Sequence, residues 1–336
     1  MPDFTDVALV SLGTTPGLRR ADAAFAQQLR HAGLGCEVAP VQIGAAGALR
    51  RNAAITDLVE SLAARRAPRP RARIVVFSTV TAALLQRRAG PYAVRFDSPA
   101  ALNRPGASGV WQRRAERRAL AGARCLLPWS EGASQAAPGT APRVVLPVPI
   151  EPLPQTGSRD IDALAYAGDP GKRGLDLLCR AWAQAGAGAR LTIGGIERDR
   201  ALRWLGRRGV DEPAGVDWMG PVAHEAWLET VQRARLFVNA SRREDYGIAQ
   251  LEALSAGAAL VTVPSAGPYE ALPLARRLAP GLVAEDLGGA LAAGLRLADS
   301  ELDGYRCAAA EELVPYRPAA VQALVSERVI PALGLA

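Results

Sequence analysis

The chain has 336 residues, 49% hydrophobic and 22% charged, an ordinary globular composition with enough material for two cores. No run of about 18 apolar residues occurs, so no membrane-spanning helix is expected, and Met1 to Val10 does not read as a secretory signal. The net charge of +7 is uneven: residues 1–150 carry 20 Arg against 9 Asp plus Glu, and residues 151–336 carry 20 Lys plus Arg against 24. A basic first half suits anionic lipid, nucleic acid or an anionic substrate, and equally an arginine-rich coding bias.

Along the chain, short apolar runs alternate with amphipathic stretches. The run 7–12 reads as a buried strand, "GTTPG" (13–17) as a turn, and 18–33 as a helix with Leu18, Ala21, Phe25 and Leu29 on one face and Gly33 as its stop. Strands are predicted at 36–41, 73–78, 91–96, 123–128 and 143–149, with helices between them. The segment 150–160 is the best linker, rich in proline and polar residues. A second series follows, with strands at 163–168, 189–195, 216–220, 234–240 and 258–263. The tail after Pro315 and Pro318 reads as one last helix. Continuous apolar strands alternating with helices indicate parallel sheets covered on both faces. The expectation is therefore α/β, with two Rossmann-like doubly wound domains facing a cleft: 1–150, 151–315, and a closing helix 316–336 that crosses back to the first domain. Ligands bind such sheets at the carboxyl ends of their strands.

The cysteines Cys36, Cys125, Cys179 and Cys307 are far apart, and His31 and His224 are the only histidines. No zinc site is expected, and a reduced, cytoplasmic setting is the simplest reading. Of the 40 Lys plus Arg, only Lys172 is lysine. It lies in "GDPGKRG", a glycine-bearing loop between a strand and a helix. Either chance left it there, or the loop meets a phosphate, where lysine acts as a compact point charge. In "VNASRREDYGIAQLEALSAG" (238–257), a strand leads through a loop into a helix. Free amides at that helix start suit an anion, and Gly247 permits close approach. Ile248, Leu251 and Leu254 form the expected buried stripe, which leaves Glu252 free to face a ligand. Glu244 and Glu252 either accept from sugar hydroxyls or are ordinary helix-start and solvated carboxylates.

Several ordered segments together resemble a known family. "REDYGIAQLEALSAGAALVTVPSAGPYE" looks like the E-x7-E region of retaining glycosyltransferases of the GT-B fold, family-four type. "LAYAGDPGKRGLDLLCRAW" is similar to the unit that opens that family's nucleotide-binding domain, and "ARLTIGG" and "VDWMGPVAHEAWLETVQRARLFVNAS" to the next two. "VALVSLGTTPG…FAQQLRHAGLGCEVAPV" and "RRALAGARCLLPWSEG" resemble parts of its acceptor domain. The resemblance is strong over 160–275 and mostly architectural over 1–150.

It implies that Glu244 lies by the donor sugar and Glu252 binds the ribose. The backbone around Tyr246, Gly247 and Ile248 would meet the diphosphate or sugar, and Lys172 and Arg173 would neutralise the leaving diphosphate. Gly168 ends the strand before that loop. Met219, Gly220, Pro221 and Val222 would line the base pocket. Gly13, Thr14 and Gly17 would form a loop near donor or acceptor, and Ser78, Thr79, Arg95 or Asp97 would meet a sugar, unless they are polar strand ends facing water. The implied reaction is retaining, metal-independent sugar transfer from a nucleoside diphosphate sugar, with no cofactor. The single D-x-D, Asp160–Ile161–Asp162, precedes its strand and reads as linker.

The chain departs from the family in three ways. Asp169 follows Gly168 where Arg is common, the loop to Gly174 is shorter, and the first domain lacks a histidine near the donor sugar. His31 reads as structural and His224 as a surface or cap residue. Arg113, Arg114, Arg117 and Arg118, with Trp111 nearby, form a basic helix face over 110–123. That face suits either an anionic membrane surface or plain solvent, whereas no nucleic-acid motif is present. The alternatives are a catalytically silent sugar-nucleotide binder and a GT-B enzyme of another reaction type, such as an epimerase.

Overall fold

The computed structural model describes residues 4–44, 53–68, 71–86, 90–154, 159–186 and 188–335. The chain divides into two compact units: everything up to Pro149 together with Pro318 onward, and Ile150–Arg317. Residues 155–158 of the expected linker lie outside the described residues.

The first unit runs β1 (Thr5–Ser11), α1 (Pro16–His31), β2 (Cys36–Pro40), α2 (Ala53–Arg66), β3 (Ala72–Phe77), α3 (Val80–Ala83), β4 (Tyr92–Phe96), α4 (Ala100–Asn103), α5 (Val110–Ala121), β5 (Cys125–Pro128) and α6 (Glu131–Ala136). Its sheet is parallel, ordered β2-β1-β3-β4-β5. Strand β1 is apolar on both faces because helices cover both: Val7, Ala8, Leu9 and Val10 are all buried. Thr15 caps α1 by accepting from Leu18 N at 3.2 Å, and Pro16 stands at its first position. Gly17 therefore lies in the first turn of α1 and not in the preceding loop, contrary to expectation.

The strand expected at 143–149 does not form as a named strand. The segment makes one isolated bridge, Arg143 to Leu126, with Val144 N bonded to Leu126 O and Leu146 N to Pro128 O. Pro128 carries no N–H to give Val144 O, so the next bridge along β5 does not form.

The second unit runs β6 (Ile161–Tyr166), α7 (Leu175–Ala185), β7 (Leu191–Gly194), α8 (Arg198–Gly206), β8 (Val216–Gly220), α9 (His224–Arg233), β9 (Ala234–Asn239), α10 (Ile248–Ser255), β10 (Ala259–Thr262), α11 (Ala271–Leu278), α12 (Leu287–Leu295) and α13 (Asp299–Glu312). Its sheet is also parallel, ordered β10-β9-β6-β7-β8. α7 buries Leu175, Leu178, Cys179 and Trp182, one stripe at helical spacing. β6 starts at Ile161, so Asp162 belongs to the strand and not to the linker. It accepts from Arg190 N at 2.9 Å at the amino end of the sheet.

The chain then returns to the first unit. α14 (Pro318–Leu324), a π turn (Val325–Val329) and α15 (Ile330–Leu333) place Val321, Val325, Val329 and Leu333 in a core shared with Val7, Leu9, Phe25 and Ile74.

Each sheet reverses its strand order once. In the first unit β1 lies between β2 and β3; in the second β6 lies between β7 and β9. The loops leaving the carboxyl ends of β6 and β9 flank the second reversal, and such crevices are where open α/β sheets hold ligands.

Candidate active site

The loop after β6 is built by two residues. Asp169 Oδ1 accepts from the amides of Gly171 and Lys172, both at 3.0 Å, and so closes the turn. The aspartate that departs from the common pattern is thus what shapes the loop. Gly174 caps α7 in the left-handed region, φ 63°, and a Cβ there would stand 2.0 Å from Ala240 O. Only glycine lets this loop lie against the end of β9.

The loop after β9 is fixed on both sides. Arg242 N bonds Lys172 O at 3.0 Å, and Glu244 N bonds Ala266 O at 2.9 Å. Ser265 Oγ donates to Ser241 O at 2.5 Å. Beneath them Asn239 Nδ2 donates to Thr262 Oγ1 and Tyr269 OH, and Ser241 Oγ donates to Asn239 Oδ1 at 2.6 Å. The Tyr269 phenol is fully enclosed, and burial pushes its pKa up.

Charges meet where the two loops touch. Arg173 Nη1 donates to Glu244 Oε2, which also accepts from Gln250 Nε2 at 2.9 Å. The Glu244 side chain is only 4% exposed. Lys172 Nζ is 2.7 Å from Asp245 Oδ2, and Arg243 Nε is 3.1 Å from Asp245 Oδ1. Burial alone would raise the Asp245 pKa, but Lys172 and Arg243 outweigh it and hold the carboxyl below its usual value. Arg242 pairs with Asp176 in the same way, at 2.7 and 2.9 Å. There too burial is opposed by the arginine, and the net pKa is lowered.

The structure therefore brings Lys172, Arg173 and Glu244 together. Sequence reasoning missed Asp245, Ser241, Gln250 and Tyr269. The adjacent doublet Glu244–Asp245 was the readable signal, since it opposes Lys172–Arg173 in charge.

Glu252 is buried in α10 and faces His224, whose Nε2 lies 3.6 Å from Glu252 Oε1. His224 is thus no plain surface residue. The expected stripe of Ile248, Leu251 and Leu254 is also corrected: Gln250 through Ser255 are all buried and Ile248 is half-buried. The helix is enclosed by α9, α13, β9 and β10. Gly247 heads it at φ 97°, where a Cβ would stand 2.9 Å from the Tyr269 ring. Tyr246 is buried, and its carbonyl accepts from Glu270 N. Gly220 has φ 70° with Glu197 beside it, Val222 is half-buried, and Gly168 packs under Tyr166.

In the first unit, Gly13 turns at φ 52°, its carbonyl accepts from Arg19 at 2.7 Å, and Thr14 is half-buried. Ser78 is buried, Thr79 caps α3, and Asp97 Oδ1 accepts from Ser98 N. Arg95 neither meets water nor offers its charge to a sugar. Its side chain is 1% exposed, 3.1 Å from Asp22, and stacked over Trp129 at 4.5 Å. Arg113 of the expected basic face instead bonds the carbonyls of Arg104 and Gly106, while Arg114, Arg117 and Arg118 are exposed. His31 ends α1 and is exposed. Among the described residues no group of three metal-ligating side chains comes together, and no helix is long and apolar enough to cross a membrane.

Residues 162–297 match the family described as "Glycosyl transferases group 1". The match covers 136 of the 336 residues, less than half of the chain. The match spans β6 through α12 and so contains both charged loops. No curated protein matches the chain. Among solved structures, the chain is similar to WaaG, a glycosyltransferase involved in lipopolysaccharide biosynthesis. The TM-score is 0.68 at 15% identity, over 95% of this chain and 98% of that one. It is similar to sucrose-phosphate synthase from Thermosynechococcus elongatus, with TM-score 0.63, 13% identity and coverage of 99% and 100%. A third is a UDP-forming α,α-trehalose-phosphate synthase from Burkholderia xenovorans, with TM-score 0.58, 12% identity and coverage of 78% and 72%. At these identities the structures establish the fold, which is that of the GT-B glycosyltransferases, with the group 1 domain as its second unit.

Proposed function

We propose that this group 1 domain binds a nucleoside diphosphate sugar and that the protein transfers the sugar, with retention and without metal, to an acceptor hydroxyl. The observation that carries this reading is the meeting of Lys172 with Asp245 and of Arg173 with Glu244 at the strand-order reversal of the second sheet. The UDP-forming synthase it resembles supports a nucleoside diphosphate as the product released.

In such a transfer the bond from the anomeric carbon to the diphosphate oxygen breaks, and that oxygen keeps the electron pair. A bond from the acceptor oxygen to the anomeric carbon forms on the same face, and the acceptor proton passes to the leaving phosphate. Lys172 and Arg173 would stabilise the charge that gathers on that oxygen. Fixed cations in a partly dry site do this better than water, because they need no reorganisation. Glu244, held by Arg173 and Gln250, would face the sugar, and Glu252 would accept from ribose hydroxyls.

Calorimetric titration with UDP and with GDP, without added metal, tests the donor site. Wild type is expected to bind one of them at micromolar concentration, and Lys172→Ala to bind it at least about tenfold more weakly, the worth of one charge-assisted contact. If neither nucleotide binds wild type at millimolar concentration, the reading fails. Arg114, Arg117 and Arg118, exposed on α5, support an acceptor held at an anionic surface. Co-sedimentation with phosphatidylglycerol vesicles but not phosphatidylcholine vesicles is the expected result. Equal behaviour with both would remove that part.

A further inference from the structure

The charges of the two loops of the second unit are largely paired with one another. Four cations, Lys172, Arg173, Arg242 and Arg243, meet three carboxylates, Asp176, Glu244 and Asp245. The pairs differ in how firmly they are fixed. Glu244 is 4% exposed and is bonded by Gln250 as well as Arg173. Arg242 grips Asp176 through two nitrogens. Lys172, by contrast, is 37% exposed, and its ammonium makes a single ion pair, to Asp245. An ammonium has three donors, so two remain for another anion. Asp245 places an oxygen 2.7 Å from Nζ, the distance a phosphate oxygen would take.

We propose that Asp245 is a resident counter-anion that holds Lys172 until a phosphate replaces it, and so sets how tightly the site keeps a nucleoside diphosphate. This rests on the donor site proposed above. It makes Asp245 a positioning residue that acts through Lys172 and opposes ligand binding.

The alternative role, a strut that keeps the loop in place, is already filled. Arg242 N to Lys172 O and Glu244 N to Ala266 O fix both loops through the backbone. Asp169 shapes the turn, and Gly174 lets it pack. Neutralising Asp245 therefore leaves the loops where they are and frees the Lys172 ammonium to meet the phosphate. The attraction of two unit charges about 3 Å apart in water is worth a factor of roughly ten in binding, and a phosphate that takes Lys172 must forgo it. Salt reduces the effect, so the expected tightening is about three- to tenfold. The lowered pKa of Asp245 means the counter-anion is present throughout the neutral range.

The test is calorimetric titration of wild type, Asp245→Asn, Lys172→Ala and the double variant with inorganic pyrophosphate and with UDP, at low and high salt. Thermal melts accompany each variant, and Asp245→Ser replaces Asp245→Asn should the latter not fold. Asp245→Asn is expected to bind both ligands about three- to tenfold more tightly than wild type, with the gain shrinking at high salt. In the Lys172→Ala background the same substitution is expected to gain much less. Under turnover, KM and kcat are expected to fall together, since the product would leave more slowly. Binding by wild type with equal or weaker binding by Asp245→Asn overturns this inference and leaves the donor site intact. An undiminished gain in the Lys172→Ala background overturns the route through Lys172. No binding by wild type overturns the donor site and this inference with it.

Discussion

Gly174→Ala is the sharpest test of how the site is assembled. The residue has φ 63°, and an added Cβ would lie 2.0 Å from Ala240 O, a backbone atom that cannot swing aside. The left-handed conformation costs an L-residue about 1–2 kcal/mol. Relieving the overlap means moving one loop by about an ångström, and overpacking of that kind typically costs about 1–3 kcal/mol. Together the cost is about 3 kcal/mol, which in a unit of about 170 residues lowers Tm by roughly 6–12 °C. The movement also pulls Lys172 O away from Arg242 N and shifts both cations, so nucleotide binding is expected to weaken along with the melt. Gly206→Ala is the control. That glycine is the exposed last residue of α8 with nothing near its Cβ position, so alanine is expected to be neutral or stabilising by up to about 1 kcal/mol. Differential scanning calorimetry with UDP titration reads both quantities. If Gly174→Ala melts with wild type and binds equally well, the claim that glycine is what docks this loop is wrong.

Three further outcomes are expected. Arg173→Gln should lower kcat about a hundredfold, the scale for losing one fixed transition-state partner. It should also destabilise by about 3 kcal/mol or less, because Glu244 stays buried without its cation while Arg173 is itself 21% exposed; unchanged kcat would refute the role. Arg95→Met should cost about 3–5 kcal/mol by stranding Asp22, which is 2% exposed; a melt within 1 kcal/mol of wild type, converted from the midpoint, would show that the pair is dispensable. Glu116 is buried, and desolvation, only partly offset by the bond from Ala100 N, pushes its pKa up to about 7 from 4.5. A raised folded-state pKa gives stability that is complete below the ordinary value and is lost as pH rises through the folded one. Glu116→Gln should therefore gain on wild type between about pH 4.5 and 7, by up to about 3 kcal/mol, and a constant gap between their melts at pH 5 and pH 8 would refute the shift.

Much of the fold was legible because parallel strands buried on both faces leave continuous apolar runs such as Val7–Val10 and Ala163–Ala167. The misreadings share a cause: local pattern was taken for structure that tertiary context decides. The segment 143–149 is as apolar as a strand, and Val144, Leu146 and Val148 are buried as they would be in one. What it lacks is a donor from its neighbour, because Pro128 of β5 has no N–H to give Val144 O. α10 was read as one-sided from its leucines, yet it lies among two helices and two strands, so its polar residues are enclosed too. Gln250 and Glu252 are then useful because they are buried, which an amphipathic reading cannot foresee. Arg95 is the reverse case. A strand-end arginine suggests a ligand contact, but Asp22, 73 residues away in the chain, claims it.

The charged loops show how far sequence goes at the site itself. Lone lysine, glycine-bearing turn and paired carboxylates marked two loops that the structure brings into contact. They did not say which cation meets which carboxylate. β6 and β9 are parallel, and spacing alone would pair the first cation with the first carboxylate. The contacts run the other way: Lys172 meets Asp245 and Arg173 meets Glu244. Arg242 N on Lys172 O holds the two loops together beside these pairs. Each loop must turn back towards its following helix, and Gly174 and Gly247, both left-handed, are where it does so. The crossed pairing is also what separates the roles: Arg173, turned inward, is locked to a buried carboxylate, while Lys172 keeps a partly exposed ammonium on a partner it can exchange.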